Sequence, residues 1–415
     1  MLSRRSLLQA SATVLPVGMF VPTIFRRALD QAAAGGAAAS PGRAASARTL
    51  IVVQLAGGND GLNTVVPYAD GRYRDLRPAL AVPEAQLRPL SDRLALHGEL
   101  DGLKQLYDAG QVAVVQGVGY DRPSLSHFQA MDIWETADPA LRQRDGWLST
   151  LVAGRVDRDG HPIGSLSLGR SLAPAICCPP TPPAAVGDLG AYRLQSDPQF
   201  PGGAAAREGA LAQLYRTYRA PAPYAALLEA TAEAARTSSA RLQEVAAAYQ
   251  PAVPYPRTAL AQGLQLFAAA LAKGLGLRIG YVVLGGFDTH AQQLSQQPRL
   301  LRQLGDALLA FQRDLEAQRL DRDVLTMTWS EFGRRAQENA SAGTDHGTAA
   351  PLFLVGSGVR GGLYGDPPDL ADLDQGNLRH SVDFRSVYAT VIERWLQADA
   401  TPILGGTYPT LPAVR

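Results

Sequence analysis

The sequence predicts an α/β fold, a mostly parallel β-sheet with helices on both faces. Five short runs of β-branched and apolar residues alternate with segments of helical periodicity, a pattern typical of parallel sheets. Each run is apolar throughout rather than at every second position, as expected for strands buried on both faces. The predicted strands are 49–55, 112–118, 279–284, 324–328 and 352–355.

The predicted helices lie between these strands, and one long segment breaks the alternation. Helical periodicity occurs at 100–109, 128–136 and 300–319. Residues 204–275 are Ala- and Leu-rich, with helical patterns and no strand between them. We interpret 204–275 as a helical insertion beside the sheet, within one α/β domain of residues 47–415.

Composition excludes several classes of protein. The 415 residues include 39 Lys and Arg against 38 Asp and Glu, so the formal net charge is +1. A nearly neutral chain presents no basic surface to a phosphate backbone, and we expect no nucleic-acid partner. Cys177 and Cys178 are the two cysteines. Consecutive Cα atoms, about 3.8 Å apart, are closer than a relaxed disulfide allows, which excludes a disulfide scaffold.

The first residues have the form of an export signal. Residues 3–8 read SRRSLL, followed by an apolar run at 10–25 and an Ala-rich stretch. This resembles the twin-arginine signal, S/T-R-R-x and two hydrophobic residues. Pro16, Pro22 and the short run argue against a permanent membrane span, which needs about 20 apolar residues. We predict that 1–46 is a signal and linker, that the twin-arginine translocation machinery is a partner, and that the product is periplasmic or secreted.

Polar residues collect in the turns at the ends of the strands, where ligands bind in an open parallel sheet. The turn sequences are NDG at 59–61, YDRPSLSH at 120–127, FDTH at 287–290, SEFGRR at 330–335 and, before the fifth strand, TDHG at 344–347. Carboxylates and imidazoles together are ligands for Zn²⁺, Mn²⁺ or Mg²⁺. We therefore predict a divalent metal site at this edge of the sheet.

Ser126 begins the predicted helix after the second strand, and two roles remain open for it. A serine at this position is commonly an N-cap, which contributes about 1 kcal/mol to the helix. The same hydroxyl, facing a metal site, has the position of a nucleophile that attacks an anionic ester held by backbone N–H groups. Ser124 is the second candidate nucleophile.

Several phrases resemble a bacterial family, domain of unknown function 1501 (DUF1501), whose members often carry twin-arginine signals. They are LAGGNDGLNTVVPY (55–68), SLSHFQAMDIWE (124–135), GGFDTH (285–290), SEFGRR (330–335), TDHG (344–347) and VDFRSVYATVIERWL (382–396). We expect this similarity over nearly the whole mature length. A more distant resemblance, to the alkaline phosphatase and sulfatase superfamily, implies an alkaline phosphatase-like α/β sandwich and a binuclear metal site.

The superfamily resemblance implies roles for particular residues. As metal ligands it implies Asp60, Asp288, His290, Glu331 and His346, and as nucleophile Ser126. Phe332 stands where the superfamily commonly has a histidine, which leaves open whether one or two metal ions bind. Three alternatives stay open for His127: it supplies the missing nitrogen, acts as a general acid, or is a plain helix-start histidine.

Three arginines near these turns are candidates for binding an anionic substrate by paired hydrogen bonds: Arg122, Arg334 and Arg335. Their alternative role is in surface or interdomain ion pairs. The remaining histidines lie away from the strand ends, and we expect structural roles for them: His97, His161 and His380.

These observations favour an exported metal-dependent hydrolase of phosphate or sulfate esters, or of a similar anionic substrate, with a serine nucleophile. The substrate is then a small anionic molecule or envelope material such as a cell-surface polysaccharide. The alternative is a non-catalytic periplasmic binding or assembly protein that keeps the phosphatase-like fold and lacks a complete site.

Overall fold

The computed structural model describes residues 48–143, 145–149, 151, 164–169, 172–177, 184–186, 210, 213 and 241–415. Outside these lie the predicted signal and linker at 1–46, Cys178, His161 and most of the predicted helical insertion. Nearly all described residues belong to one compact unit, formed by 43–195 and 235–415. In the part of the chain that is described, no helix is both long and apolar enough to cross a bilayer.

Twelve strands occur among the described residues. In chain order they are β1 (Thr49–Ala56), β2 (Val65–Val66), β3 (Leu87–Pro89), β4 (Ala95–His97), β5 (Val112–Gly119), β6 (Ser165–Leu168), β7 (Ala184–Val186), β8 (Ile279–Gly285), β9 (Val324–Trp329), β10 (Ala350–Val355), β11 (Gly362–Tyr364) and β12 (Val382–Asp383). Nine form the main sheet, in the order β11-β5-β10-β9-β1-β8-β6-β7, with β12 also paired with β5. The small sheet has the order β2-β4-β3.

All five predicted strands are present, and one of them runs in the opposite direction. β10 pairs antiparallel with both β5 and β9, whereas the other pairings of the main sheet are parallel. The first residue of β10, Ala350, therefore pairs with Val118 at the end of β5. As a result, the loop before β10 lies at the same edge of the sheet as the turns that follow the parallel strands.

Helices of the described residues complete the α/β fold. They are α1 (Gly61–Thr64), α2 (Gly71–Leu76), α3 (Asp101–Asp108), α4 (His127–Thr136), α5 (Ala259–Ala272), α6 (Gln293–Ala317), α7 (Phe384–Ala389) and α8 (Thr401–Leu404). The three predicted helices are confirmed as α3, α4 and α6. α6 begins seven residues before the predicted start at 300 and contains Pro298. Of the predicted insertion, 241–248 and α5 are helical, as expected.

Helices cover both faces of the main sheet. In β1, Ile51 and Val53 belong to the same buried cluster as residues of α3, α5 and α6. Leu50 and Val52 point to the other face and join a cluster with residues of α4 and α7. Burial on both faces explains the continuous apolar sequence of β1, because each fully buried aliphatic side chain contributes about 1.5–3 kcal/mol.

Candidate metal centre

Two glycines after β1 allow three turns to meet. Gly57 and Gly58 have φ values of +120° and +78°, which favour glycine. A Cβ on Gly57 would lie 2.4 Å from the backbone nitrogen of Asp288, and one on Gly58 would lie 2.4 Å from the Phe332 ring. The Gly57 N–H also donates to Glu331 Oε1 at 2.8 Å. The turns after β1, β8 and β9 are therefore in direct contact.

Arg334 ties these turns together from the inside. It is 1% exposed, and its guanidinium donates to Asp288 Oδ1 at 2.7 Å. Its other acceptors are carbonyl oxygens of Gly57, Gly58, Phe287 and Thr344. Because its side chain is buried and bonded to these acceptors of the protein itself, the structure places Arg334 among the turns rather than in the substrate-binding role that was predicted. It is a positioning residue instead.

The Nε2 atoms of three histidines lie around the carboxylate of Asp288. His127 Nε2, on the first residue of α4, is 3.4 Å from Asp288 Oδ2. The Nε2 atoms of His290 and His346 are 3.1 and 3.2 Å from Asp288 Oδ1 and 2.9 Å from each other. His127, Asp288 and His346 offer ligand atoms within 4.8 Å of one another, which among the described residues is the one such group of three or more His, Cys, Asp or Glu.

Each of the three imidazoles is held through its Nδ1. His127 Nδ1 donates to Glu331 Oε1 at 2.8 Å, and His346 Nδ1 donates to the Leu125 carbonyl oxygen at 2.8 Å. His290 Nδ1 lies 3.3 Å from Asp345 Oδ1. A carbonyl oxygen only accepts, so neutral His346 carries its proton on Nδ1 and a lone pair on Nε2. Acceptors behind the Nδ1 atoms in this way are typical of metal-binding histidines.

The charges of the cluster also suit a cation. Partial burial raises the pKa of Asp288, but the hydrogen bond and the positive charge of Arg334, together with the neighbouring imidazoles, outweigh it and lower that pKa to about 2. Asp288 is therefore ionised at neutral pH. A carboxylate and imidazole lone pairs this close together repel one another unless a cation lies among them. Zn–N bonds of about 2.0–2.1 Å place neighbouring ligand atoms roughly 3 Å apart, so these residues fit a divalent metal.

The structure brings together Asp288, His290 and His346, three of the predicted ligands, and places His127 beside them, where one of its three open alternatives was to supply a nitrogen ligand. Glu331 is 1% exposed and contacts His127 Nδ1, so it lies behind that imidazole rather than among the group of ligand atoms. This differs from its predicted role as a direct ligand. The ring of Phe332 packs against the imidazoles of His127 and His346, with centroid distances of 4.9 and 4.5 Å.

The structure places Asp60, a predicted metal ligand, in an internal ion pair rather than among the grouped ligand atoms. Asp60 is 1% exposed, and its two carboxylate oxygens accept from the Arg77 guanidinium at 2.5 and 2.9 Å. Gln293 Nε2 donates to Asp60 Oδ2 as well. The carboxylate is thus neutralised by an internal cation. Sequence reasoning missed Arg77, because nothing in the pattern of residues 60–77 marks this pairing.

Ser126 precedes α4 and its hydroxyl makes no capping hydrogen bond, so the N-cap interpretation is not supported. Ser126 is exposed, and it lies between Leu125, whose carbonyl accepts from His346, and His127. Ser124 Oγ is engaged instead, because it donates to Gln129 Oε1 at 2.8 Å. Of the two candidate serines, Ser126 therefore has the hydroxyl that remains available at the helix start.

The other candidate residues lie at the periphery. The Arg122 side chain is 93% exposed and pairs with Asp121 at 3.2 Å. Arg335 is exposed, and its charge is one of several causes, with an Asn339 hydrogen bond the largest, that lower the pKa of Asp345. His97 Nδ1 accepts from the Glu99 N–H at the start of a short 3₁₀ helix, a structural role as expected.

Sequence comparison finds a family model that matches just under half of the chain. Residues 193–395 match the family model DUF1501, described as a protein of unknown function. Over these residues the chain is similar to the DUF1501 family. Three of the phrases quoted above lie inside the match and a fourth extends one residue past it, whereas 55–68 and 124–135 lie outside. No curated protein matches this chain.

The chain is also similar to solved structures of the alkaline phosphatase and sulfatase superfamily. The lipoteichoic acid synthase LtaP from Listeria monocytogenes is 9% identical, with 82% of this chain and 72% of that chain covered and a TM-score of 0.36. The PsFucS1 sulfatase from Pseudoalteromonas sp. is 9% identical, with coverages of 94% and 74% and a TM-score of 0.36. An alkaline phosphatase superfamily protein from Vibrio parahaemolyticus is 8% identical, with coverages of 82% and 70% and a TM-score of 0.32. At these scores the case for a metal rests on the site residues themselves.

Proposed function

We propose that this protein is a metal-dependent hydrolase of phosphate or sulfate esters or of a similar anionic substrate. The observation that supports it best is the arrangement of His127, Asp288 and His346, whose ligand atoms lie within 4.8 Å of one another. The acceptors behind the imidazoles orient each Nε2 toward Asp288. A divalent metal ion bound there supplies Lewis acidity and offsets the negative charge of an ester.

His127, Asp288 and His346 would hold the ion, with His290 beside them. Three protein ligands are typical of catalytic zinc sites, which keep one position open for substrate or water. The Asp288 side chain is 46% exposed, so the group faces solvent rather than the core. Arg334 and Glu331 are the positioning residues, the first for Asp288 and the second for His127.

Ser126 is the proposed nucleophile. Its Oγ would form a bond to the phosphorus or sulfur atom as the bond to the leaving alcohol oxygen breaks. The hydroxyl proton passes to a base, for which the His290 imidazole beside the ligands is the candidate, and the leaving oxygen takes up a proton from water. A water molecule then attacks the phosphorus or sulfur atom, the bond to Ser126 Oγ breaks, and that oxygen takes back a proton. The first N–H groups of α4 have no partners within the helix, so they are placed to bind oxygens of the ester.

The experiment is a panel of chromogenic phosphate and sulfate esters, tested on the purified protein with added Zn²⁺, Mn²⁺ or Mg²⁺. We expect the parent protein to turn over an ester of the panel. Ser126→Ala should lose turnover but keep the bound metal, and Asp288→Ala should lose both turnover and metal. Unchanged turnover in Ser126→Ala would exclude it as nucleophile. Unchanged turnover in Asp288→Ala would exclude the metal site as the catalytic centre.

Phe332 supports a second candidate function, a non-catalytic binding or assembly protein. It is 2% exposed and occupies, according to the sequence resemblance, a place where related enzymes commonly have a histidine. This candidate predicts metal binding without turnover of any ester in the panel. In either case, the SRRSLL sequence supports export through the twin-arginine translocation machinery to the periplasm or the medium.

A further inference from the structure

A second concave site lies beside β5, separate from the metal centre. It is a cavity of about 180 Å³ between α1, the β5–β10 pair and the segments 366–372 and 378–381. We call it the β5 cavity. None of the four residues His127, Asp288, His290 and His346 lines it.

Gln116 gives the β5 cavity an unusual polar group. The residue is 3% exposed, and its Oε1 has no hydrogen-bond partner among the residues that the structure describes. A buried polar atom left in this way is costly, so most such atoms in proteins are paired. Because Gln116 lines the cavity, a ligand with an N–H or O–H group bound there would supply the hydrogen bond that Oε1 lacks.

The backbone around Gln116 is built irregularly. The register between β5 and β10 shifts between Ala350 and Leu352, so that β5 carries one extra residue. Gly117 has φ +59°, and a Cβ on it would lie 2.4 Å from Ser381 Oγ. Such bulges re-aim side chains and occur next to functional sites. The bulge therefore accounts for the position of Gln116 against the cavity.

The charge on the wall of the β5 cavity is predominantly negative. Asp366, Asp369 and Asp372 line it, and Arg379 pairs with Asp372 at 3.0 Å. Among the described contacts neither Asp366 nor Asp369 forms an ion pair; Asp369 Oδ1 accepts from the backbone N–H of Ala371. Much of the rest of the lining is apolar, including Leu62, Val65, Pro351 and Leu378.

This combination selects a class of ligand. An amide oxygen and carboxylates accept hydrogen bonds and favour positive charge, while the apolar lining favours a short hydrocarbon body. Ca²⁺ is a poorer match, because it requires six to eight oxygen ligands. The carboxylates of the β5 cavity do not form a metal-binding group among the described residues.

We propose that the β5 cavity binds the protonated amino group of a small amine, or of an aminated substrate. Gln116 Oε1 accepts a hydrogen bond from the ammonium, and Asp366 supplies the neighbouring negative charge. This proposal does not depend on the metal centre or on hydrolysis, because the two sites share none of the residues that carry either argument.

The test is calorimetric titration of the full purified protein with n-butylammonium chloride, with n-butanol as the neutral analogue. We expect saturable binding of n-butylammonium. The affinity for n-butanol should be lower by about tenfold or more. Gln116→Met and Asp366→Asn should each weaken ammonium binding about fivefold or more. Asp366 is exposed, so its variant keeps the test informative if Gln116→Met disturbs folding.

Gln111→Met is the matched control. Gln111 also has a buried Oε1 without a partner, but it lies just before β5 and does not line the cavity. Its variant should bind n-butylammonium as the parent does. Asp288→Asn should also bind it normally, which separates this proposal from the metal centre. Absence of saturable binding, equal binding of n-butanol, loss of binding in Asp288→Asn, or tighter binding of CaCl₂ at the same site would each overturn the proposal.

Discussion

At the scale of single residues, the candidate metal centre depends on the groups behind the proposed ligands as much as on those ligands themselves. His127 and His346 are each held by one acceptor on Nδ1, and that bond determines which nitrogen faces Asp288. The sequence predicted Glu331 in this region but as a direct ligand rather than as the acceptor behind His127. A carboxylate can have either role, so the residue type alone does not distinguish them.

Glu331 provides the first test at this scale. We expect Glu331→Ala to weaken metal affinity about 10–100-fold, because His127 loses the acceptor that orients it. Glu331→Gln should retain most of the affinity, since its amide oxygen still accepts from Nδ1. Affinity is measured by competition with a chromogenic chelator. Glu84→Ala, at an exposed ion pair, is the control, and parental affinity in Glu331→Ala would refute the positioning role.

Asp60 and Arg77 provide the second test. Removing one partner of a buried ion pair leaves the other charge uncompensated, so Asp60→Asn should lower the free energy of unfolding by about 3–5 kcal/mol. Bound metal per folded molecule should stay the same, because Asp60 is occupied by Arg77. Urea unfolding and elemental analysis give the two quantities. If the Asp60→Asn protein folded but bound no metal, Asp60 would have to be a metal ligand, which would contradict this account.

At the scale of elements, α4 supplies His127 at its first residue and a buried carboxyl near its end. Glu135 is 5% exposed, and burial, with smaller contributions from Asp132 and Glu331, raises its pKa to about 8. The neutral form is therefore the one that the folded protein stabilises. In the unfolded chain the same group ionises near its ordinary value of 4.5.

The difference between these two pKa values predicts the pH dependence of stability. Between about pH 4.5 and pH 8 the folded state holds a proton on Glu135 that the unfolded state has lost. The contribution of Glu135 to the free energy of unfolding is therefore at its maximum below this range. It falls as pH rises, by at most about 1.4 kcal/mol per pH unit. Glu135→Gln should remove this fall, which urea unfolding of both proteins at pH 5, 6, 7 and 8 would detect. Parallel stability profiles for the two proteins would contradict it.

The direction of β10 explains what could and could not be predicted about the site. Continuous apolar runs identified all five strands, because burial on both faces leaves a clear sequence pattern. The same pattern carries no information about strand direction. His346 precedes β10, yet it reaches the edge where His127 and Asp288 lie because β10 is antiparallel to its neighbours. The sequence resemblance predicted His346 without this structural reason.

At the scale of the whole molecule, the prediction that follows from the N-terminus is export. Arg4 and Arg5 match the arginine pair of the twin-arginine signal, and we propose that the translocation machinery recognises both. Replacing both with Lys keeps the charge and should abolish export. Export is measured by fractionation of cells that produce the parent or the double variant. Periplasmic or secreted protein from the double variant would contradict the twin-arginine route.

The central claim of this account is a divalent metal ion bound by His127, Asp288 and His346. Elemental analysis of the purified protein, after incubation with Zn²⁺, Mn²⁺ or Mg²⁺ and removal of excess ion, tests it most directly. We predict at least one ion per chain in the parent. The control His97→Asn should also bind the ion, because Asn can still cap the 3₁₀ helix and position 97 is not part of the site. Asp288→Asn and His127→Ala should lose the ion. A metal-free parent, or equal metal content in Asp288→Asn, would contradict the claim.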